Sequence, residues 1–242
     1  MKNAFKLMLQ KLLGFDNYLF LFSVITIGRL KNNRHEQEFL YFLNHINSEG
    51  LILDIGANIG ITVVPLAQKY PQQQVYAFEP VPANLSALKR IIRFFRLTNV
   101  RLFEVALGNC AGELHMVMPV VSKVKMQGLS HVTDNPAEEA GLLFNVPVKV
   151  LDQMEELQDK KIAAIKIDVE NFEFEVLSGG ADLLRKNKPF IYCELWNNEK
   201  KQKTIDLLEE LGYKTMFFQG KSLVPYTDQS DVLNYFFKHS AN

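Results

Sequence analysis

Cysteine, net charge and long apolar runs are all scarce in this sequence, and each scarcity closes off a class of protein. The two cysteines, Cys110 and Cys193, stand 83 positions apart (193 − 110), which allows neither a disulfide framework nor a clustered zinc site. Such usage suits a reducing, cytoplasmic setting. The 27 Lys and Arg are cancelled by 27 Asp and Glu, so the overall field does not attract a polyphosphate backbone and nucleic acid is not an expected partner. No apolar stretch reaches the roughly 18 to 20 residues that cross a bilayer. The longest, Tyr18 to Ile27, follows Asp16 and Asn17. Lys2, Lys6 and Lys11 precede it as in a signal peptide, yet no Ala-x-Ala-like cleavage site follows, and export is not expected. What remains is a chain of 242 residues with 48% hydrophobic content. That is enough for one substantial domain and too little for two full enzyme domains.

Charge is uneven in one place. Residues 1 to 35 carry Lys2, Lys6, Lys11, Arg29, Lys31 and Arg34 against Asp16 alone. Phe5, Met8, Leu9 and Leu12 recur at i, i+3, i+4 and i+7, the spacing of an amphipathic helix. Two roles are open to it: packing on the domain with a solvated basic face, or peripheral contact of residues 1–35 with a membrane surface. Glu36 to Ile46 predicts a further helix that buries Phe39, Leu40, Phe42, Leu43 and Ile46. Residues 1–50 therefore read as a helical N-terminal arm, and 51–242 as the main domain.

From Leu51 onward short, dense strands alternate with helices, the grammar of an α/β fold with a mostly parallel sheet covered on both faces. Strands are expected at Leu51 to Ile55, Gln74 to Phe78, Val100 to Val105, Val146 to Val150, Ile162 to Ile167, Phe190 to Glu194, Tyr213 to Phe218 and Asn234 to Lys238. Helices are expected at Ile61 to Tyr70, Ala83 to Leu97, near Asp152 to Leu157, at Glu173 to Leu184 and at Lys200 to Leu211. The stretch from about 107 to 145 is less regular and reads as an insertion above the sheet, with an alternating segment from Glu113 to Val120.

The most informative stretch is Leu51-Ile52-Leu53-Asp54-Ile55-Gly56-Ala57-Asn58-Ile59-Gly60, an apolar strand that turns through two glycines into a helix. Such a turn lets backbone approach a ligand closely and aims free helix N–H groups at an anion. The dinucleotide fingerprint G-x-G-x-x-G is absent because Asn58 occupies its second glycine, which counts against a pyrophosphate and hence against NAD. A D-x-G-x-x-x-G loop suits S-adenosylmethionine instead, with its carboxylate at the helix start and Asp54 serving its amino group. Glu79 ends the next strand, 19 residues after Gly60 (79 − 60), where a carboxylate can accept hydrogen bonds from two ribose hydroxyls. Ala106, after the third strand, leaves room for an adenine ring.

A second cluster is Lys166-Ile167-Asp168-Val169-Glu170-Asn171-Phe172-Glu173. Lys166, Asp168 and Glu170 alternate with apolar residues and so share one face of an extended segment. Charges on a buried strand are expensive without partners. Two readings follow: a reciprocal Lys166/Asp168 salt bridge, or a site facing a transferred methyl group. Methyl transfer from a sulfonium is an in-line displacement in which a carboxylate takes the acceptor's proton. Asp168 and Glu170 are the candidates, with Glu194 as a third. His131, in the insertion, is a candidate general base or a surface loop histidine. The histidines show no metal-ligand spacing; carboxylates at strand ends could hold Mg²⁺, though nothing in the sequence demands it.

These residues resemble the FkbM-type S-adenosylmethionine-dependent methyltransferases. The resemblance rests on Asp54 to Gly60, Phe78-Glu79-Pro80-Val81-Pro82-Ala83-Asn84, Ala106-Leu107-Gly108, Val148 to Asp152, Lys166 to Glu173, and Val176-Leu177 with Gly179-Gly180, spanning about Leu51 to Glu194. It implies a class I methyltransferase fold, Rossmann-like, with a seven-stranded sheet whose last strand is antiparallel. It also implies cofactor contacts at Asp54, Gly56 and Glu79, joined by Ala57, Asn58, Gly60 and Ala106, and O-methylation of a saccharide, glycolipid or natural product. The alternatives are a non-catalytic cofactor-binding or scaffold protein of the same fold and an enzyme using another adenosine nucleotide such as NAD. One departure stands out: the family commonly has glycine where this chain has Asn171. Asparagine readily adopts positive φ, so the turn can survive.

Overall fold

The structure is a computed structural model that describes residues 2–30, 36–227 and 232–240. Three helices precede the first strand: α1 (Lys2–Leu13), α2 (Phe15–Leu30) and α3 (Gln37–Asn44). Then come β1 (Leu51–Ile55), α4 (Val63–Lys69), β2 (Val75–Phe78), α5 (Pro82–Phe94) and β3 (Val100–Phe103). A run of strands follows, β4 (Ala106–Leu107), β5 (Gly112–Val121), β6 (Val124–Lys125), β7 (His131–Val132) and β8 (Gly141–Lys149). Alternation resumes with β9 (Ile162–Ile167), α6 (Glu173–Ser178), α7 (Ala181–Asn187), β10 (Phe190–Glu194) and α8 (Glu199–Glu210), before β11 (Tyr213–Gln219), β12 (Ser222–Pro225) and β13 (Asn234–His239).

The central sheet runs β3-β2-β1-β9-β10-β13-β11-β12. Its first five strands are mutually parallel, and every residue of β1, β2 and β9 is buried, as continuous apolar runs demand of strands covered on both faces. β13 is antiparallel to both its neighbours. Among the described residues the sheet thus has eight strands where the sequence predicts seven. The extra one, β12, pairs antiparallel with β11 across a tight turn through Gly220 (φ 67). The chain steps outward from β1 to β3 and returns on the other side of β1 as β9. That reversal opens a crevice at the carboxyl ends of β1 and β9.

The insertion is ordered: β4, β8, β5 and β6 form a second sheet, with β7 on β5. The expected strand Val146 to Val150 belongs to this sheet as the end of β8. Two expected helices also differ. Residues 151–157 form two 3-10 turns, because the Asp152 carboxylate accepts the backbone N–H groups of Asp182 (3.0 Å) and Leu183 (2.8 Å) and so caps α7. Glu173 to Leu184 breaks into α6 and α7 at Gly179-Gly180, where a Cβ on Gly179 would lie 2.2 Å from the Gly108 carbonyl oxygen.

The N-terminal helices dock on the domain unequally. α3 buries Phe39, Phe42 and Leu43. α2 buries Tyr18, Leu19 and Ser23, and the Ser23 hydroxyl donates to the Ile59 carbonyl at 2.8 Å, inside the glycine turn. α1 bends away from α2 by 116° at Gly14 (φ 72). Its apolar stripe packs only in part: Leu9 lies against the cluster of Tyr18, Leu19 and Ile59, while Phe5, Met8 and Leu12 are exposed. Lys31 and Arg34, which contribute to the basic excess, lie outside the described residues. No single helix among the described residues is long and apolar enough to cross a membrane.

Candidate active site

The turn after β1 is fixed from two sides. Gly56 has φ 77, and a Cβ there would fall 1.8 Å from the Asp168 carbonyl oxygen, so only glycine lets the two loops touch. Gly56 and Ala57 both donate backbone N–H to the Phe78 carbonyl, at 3.1 and 2.9 Å, while Asp168 donates to the Ile55 carbonyl at 3.1 Å. These bonds knit the ends of β1, β2 and β9 into one rim. Gly60 (φ 86) serves packing, since a Cβ there would meet Leu88 of α5 at 2.7 Å. Gly60 and the buried Ala57 lie behind the cleft wall.

The cleft itself encloses about 650 Å³, mouth included. One wall carries Gly56, Asn58, Glu79 and Ala106, the other Asp168, Glu170 and Phe172, and the second sheet roofs it with Met116, Gln127, Gly128, Ser130 and Val132. Of the sequence candidates, Gly56, Asn58, Glu79, Ala106, Asp168 and Glu170 therefore meet in one cavity. Glu194, at the end of β10, is near the same carboxylates but off the wall. Its own carboxyl is pushed up by burial and by Asp168. His131 is also off the wall. Its neighbours Ser130 and Val132 line the cleft, and strand alternation turns the imidazole the other way, toward the Leu129 carbonyl (3.0 Å) and Glu139 (3.6 Å).

Glu79 is more committed to the protein than the sequence suggests. Its Oε2 accepts from the Asn58 N–H at 2.8 Å, and its Oε1 accepts from the Val81 N–H at 2.9 Å and the Asn84 amide at 3.1 Å. A carboxylate offers roughly four acceptor positions, which leaves room for about one further strong bond rather than two. Burial outweighs these donors and pushes its pKa up to about 7. Beside it, the side-chain oxygens of Asn58 and Asn84 are buried without a partner. Both residues line the cleft, so two acceptors remain for the N–H or O–H groups of a ligand. With small Ala106 at the far end, this donor-hungry wall fits an adenosine-bearing molecule.

Beneath the rim lies a buried charge network. Asp54 is fully buried, accepts the Thr62 hydroxyl at 2.6 Å and lies 3.5 Å from the Lys166 ammonium. Lys166 also reaches Asp168 at 3.6 Å and donates to the Gly56 carbonyl at 3.0 Å. Burial works against the ammonium, but Asp168 and Asp54 overcome it and hold its pKa above the usual lysine value. Asp54 and Lys166 thus lie under the cleft floor and support the Gly56 turn, with Asp54 fully buried. The Lys166/Asp168 salt bridge of the sequence reading is present, and Asp168, unlike Lys166, also lines the cleft.

Glu170 is different. It sits half-buried on the cleft wall, and burial followed by the like charges of Asp168, Glu194 and Glu173 pushes its carboxyl up to about 8. Its backbone takes φ 55 and that of Asn171 φ 72, two consecutive left-handed residues where the sequence led us to expect one. The strain is held by neighbours: Glu173 Oε1 accepts the Val169 N–H at 2.9 Å, the Asn198 amide donates to Asn171 Oδ1 at 2.6 Å, and the Lys200 ammonium reaches the Asn171 carbonyl at 3.0 Å and Glu175 at 2.8 Å. Sequence reading missed Thr62, Asn84, Asn198 and Lys200. Asn84 had a signal, standing five residues after Glu79 at the start of a helix. Asn198 and Lys200 had none, since only the tertiary fold brings α8 to this loop. Among the described residues no group of His, Cys, Asp and Glu is arranged to hold a metal ion.

Comparison with known proteins bears on this cleft. The family model described as Methyltransferase FkbM domain matches residues 54–215, more than half of the chain. Methyltransferase 1 of Beauveria bassiana (strain ARSEF 2860) is 24% identical over 60% of this chain and 65% of its own length. The 2-O-methyltransferase NoeI of Sinorhizobium fredii (strain NBRC 101917 / NGR234) is 30% identical over 62% of this chain and 64% of its own. A crystal structure of Methyltransferase FkbM from Methylobacillus flagellatus KT superposes with a TM-score of 0.52 at 15% identity, covering 79% of this chain and 44% of that one. The chain thus spans under two thirds of the length of each of these three.

Proposed function

The chain belongs to the FkbM family of methyltransferases, and from that premise we propose that it methylates a hydroxyl group on a saccharide, a lipid-linked saccharide or a related natural product. The observation that carries this reading is the meeting, in one roofed cleft, of the Gly56–Glu79 wall with Asp168 and Glu170. Gly56, Asn58, Glu79 and Ala106 are the residues that would hold the cofactor. S-adenosylmethionine, when bound, supplies a methyl group on a positively charged sulfur as the electrophile.

The protein's own groups then have separate tasks. The roof formed by Met116, Gln127 and Ser130 excludes water and presses the acceptor toward the floor. Asp168, paired with Lys166, orients the acceptor. Glu170 takes the hydroxyl proton as the oxygen forms its bond to carbon and the carbon–sulfur bond breaks. Its pKa of about 8 matches a base working near neutral pH. The hydroxyl specificity of NoeI, a 2-O-methyltransferase by its name, supports the choice of oxygen. The exposed free thiol of Cys110 supports a reducing, cytoplasmic setting.

The experiment is transfer of labelled methyl from S-adenosylmethionine to a panel of free and lipid-linked saccharides, with amine and thiol acceptors alongside. The proposal expects label recovered as a methyl ether. Label entering only amines or thiols would overturn the choice of hydroxyl. Cofactor binding without turnover on any acceptor would favour a non-catalytic role.

A further inference from the structure

The outward stripe of α1 is the feature that the cleft does not explain. Phe5 is 59%, Met8 47% and Leu12 73% exposed. At i, i+3 and i+7 they fall within about 60° of arc, with Lys11 on one side of the stripe and Lys6 on the other. α1 contains no acidic residue. A soluble helix normally turns such a stripe inward and its charges outward. Here α1 holds Phe5, Met8 and Leu12 outward along with its lysines, and specific bonds fix it there: the Gln10 amide donates to the Lys125 carbonyl at 3.1 Å, and the Lys125 N–H donates to Gln10 Oε1 at 3.2 Å, so the side chain clamps the edge strand β6. The Lys125 ammonium lies over the Phe15 ring at 4.6 Å. On α2, Leu21 and Ile25 are exposed as well, and the Arg90 guanidinium covers Phe20 at 4.3 Å.

We propose that α1, with the exposed flank of α2, lays this protein on an anionic bilayer surface. Apolar side chains bordered by lysines and arginines suit the boundary between acyl chains and negatively charged headgroups, where the rings and aliphatic chains enter and the ammonium groups stay with phosphate. A second protein copy fits less well, because two such faces would bring their own basic residues together. The 116° bend at Gly14 and the burial of Tyr18, Leu19 and Ser23 in the domain keep the helices on the surface rather than through it. Two and three residues beyond the clamped Lys125, Gln127 and Gly128 roof the cleft, so the docked molecule holds its cleft roof beside the lipid. Resting on the proposed methyl transfer, this favours the lipid-borne members of the acceptor class.

The test is co-sedimentation of the full chain with phosphatidylcholine vesicles, with and without phosphatidylglycerol, across a salt series. Binding is expected only with the anionic lipid and is expected to weaken with salt. Replacing Phe5, Met8 and Leu12 together by serine should lower it at least tenfold. Lys6→Gln and Lys11→Gln should each lower it about fivefold at low salt. S-adenosylhomocysteine affinity should stay unchanged in all of these variants, which reports that they are folded. Absence of vesicle binding by the full chain, or binding that both sets of substitutions leave intact, overturns the proposal. So does a concentration-dependent dimer abolished by the serine variant, which would assign the face to a second copy. Vesicle binding by a chain that fails to bind S-adenosylhomocysteine would retain the surface and reject the reading of the cleft.

Discussion

Glu170 gathers most of the chemical argument into one side chain. A carboxyl whose pKa stands at about 8 holds its proton below that pH and accepts another group's proton above it. The rate of methyl transfer should therefore rise with pH through about 8 and then level off, with the midpoint moved downward when a cationic cofactor is bound. Glu170→Gln should remove that rise and slow turnover by about 10²-fold or more, while S-adenosylhomocysteine affinity measured on the same protein changes little. Lys166 invites a different measurement. It is buried between Asp54 and Asp168, and Lys166→Met leaves the fully buried Asp54 carboxylate without its cation, at a cost of about 3 kcal/mol or more. Urea unfolding should show that loss, and the double variant Asp54→Asn with Lys166→Met should regain part of it. Strict additivity would mean the two groups do not interact.

At the scale of elements, the loop from Asp168 to Phe172 depends on a helix that follows it by nearly thirty positions. Asn198 both caps α8, its side chain accepting from the Lys200 N–H at 2.9 Å, and donates to Asn171. Asn198→Ala should cost about 1 kcal/mol of stability through the lost cap and also lower turnover by loosening Glu170. Asn198→Asp keeps the cap but not the donor, so it should restore stability without restoring turnover. Equal recovery of both would dismiss the clamp. The strands of the central sheet were legible because each is a short, mostly apolar or aromatic run between turn residues. The two glycines at 179 and 180 were visible too, but the helix break there depends on the approach of Gly108. Likewise, Asp152 as a cap for α7 rests on a contact across 30 positions. Positive φ at Asn171 was foreseeable from residue type. At Glu170 it was not, because a glutamate has no local preference for it and neighbours impose it.

The whole molecule carries the consequence of placing so many acids at one sheet edge. Glu79 and Glu173 are pushed up to about 7 and Glu170 to about 8, burial being the first cause in each. Each keeps its proton in the folded chain after the unfolded chain, near 4.5, has lost it. The stability they add is complete below about pH 4.5 and is lost as pH rises through 7 to 8. The ligand-free protein should therefore show a falling Tm from about pH 5 to 8, whereas a rising or flat Tm over that range would mean these carboxyls are ionised in the fold. Much of the cleft wall was legible in the sequence, since Gly56, Asn58, Glu79 and Ala106, which line it, follow strand ends at readable spacing. The sequence did not disclose the direction in which His131 points or the outward stripe of α1, for both depend on how the second sheet sits over the first. Calorimetric titration of the folded protein with S-adenosylhomocysteine tests the account most directly. Saturable binding at one site per chain, weakened at least tenfold by Gly56→Ala, is the predicted result; a well-folded protein that releases no heat and shows no affinity would contradict it.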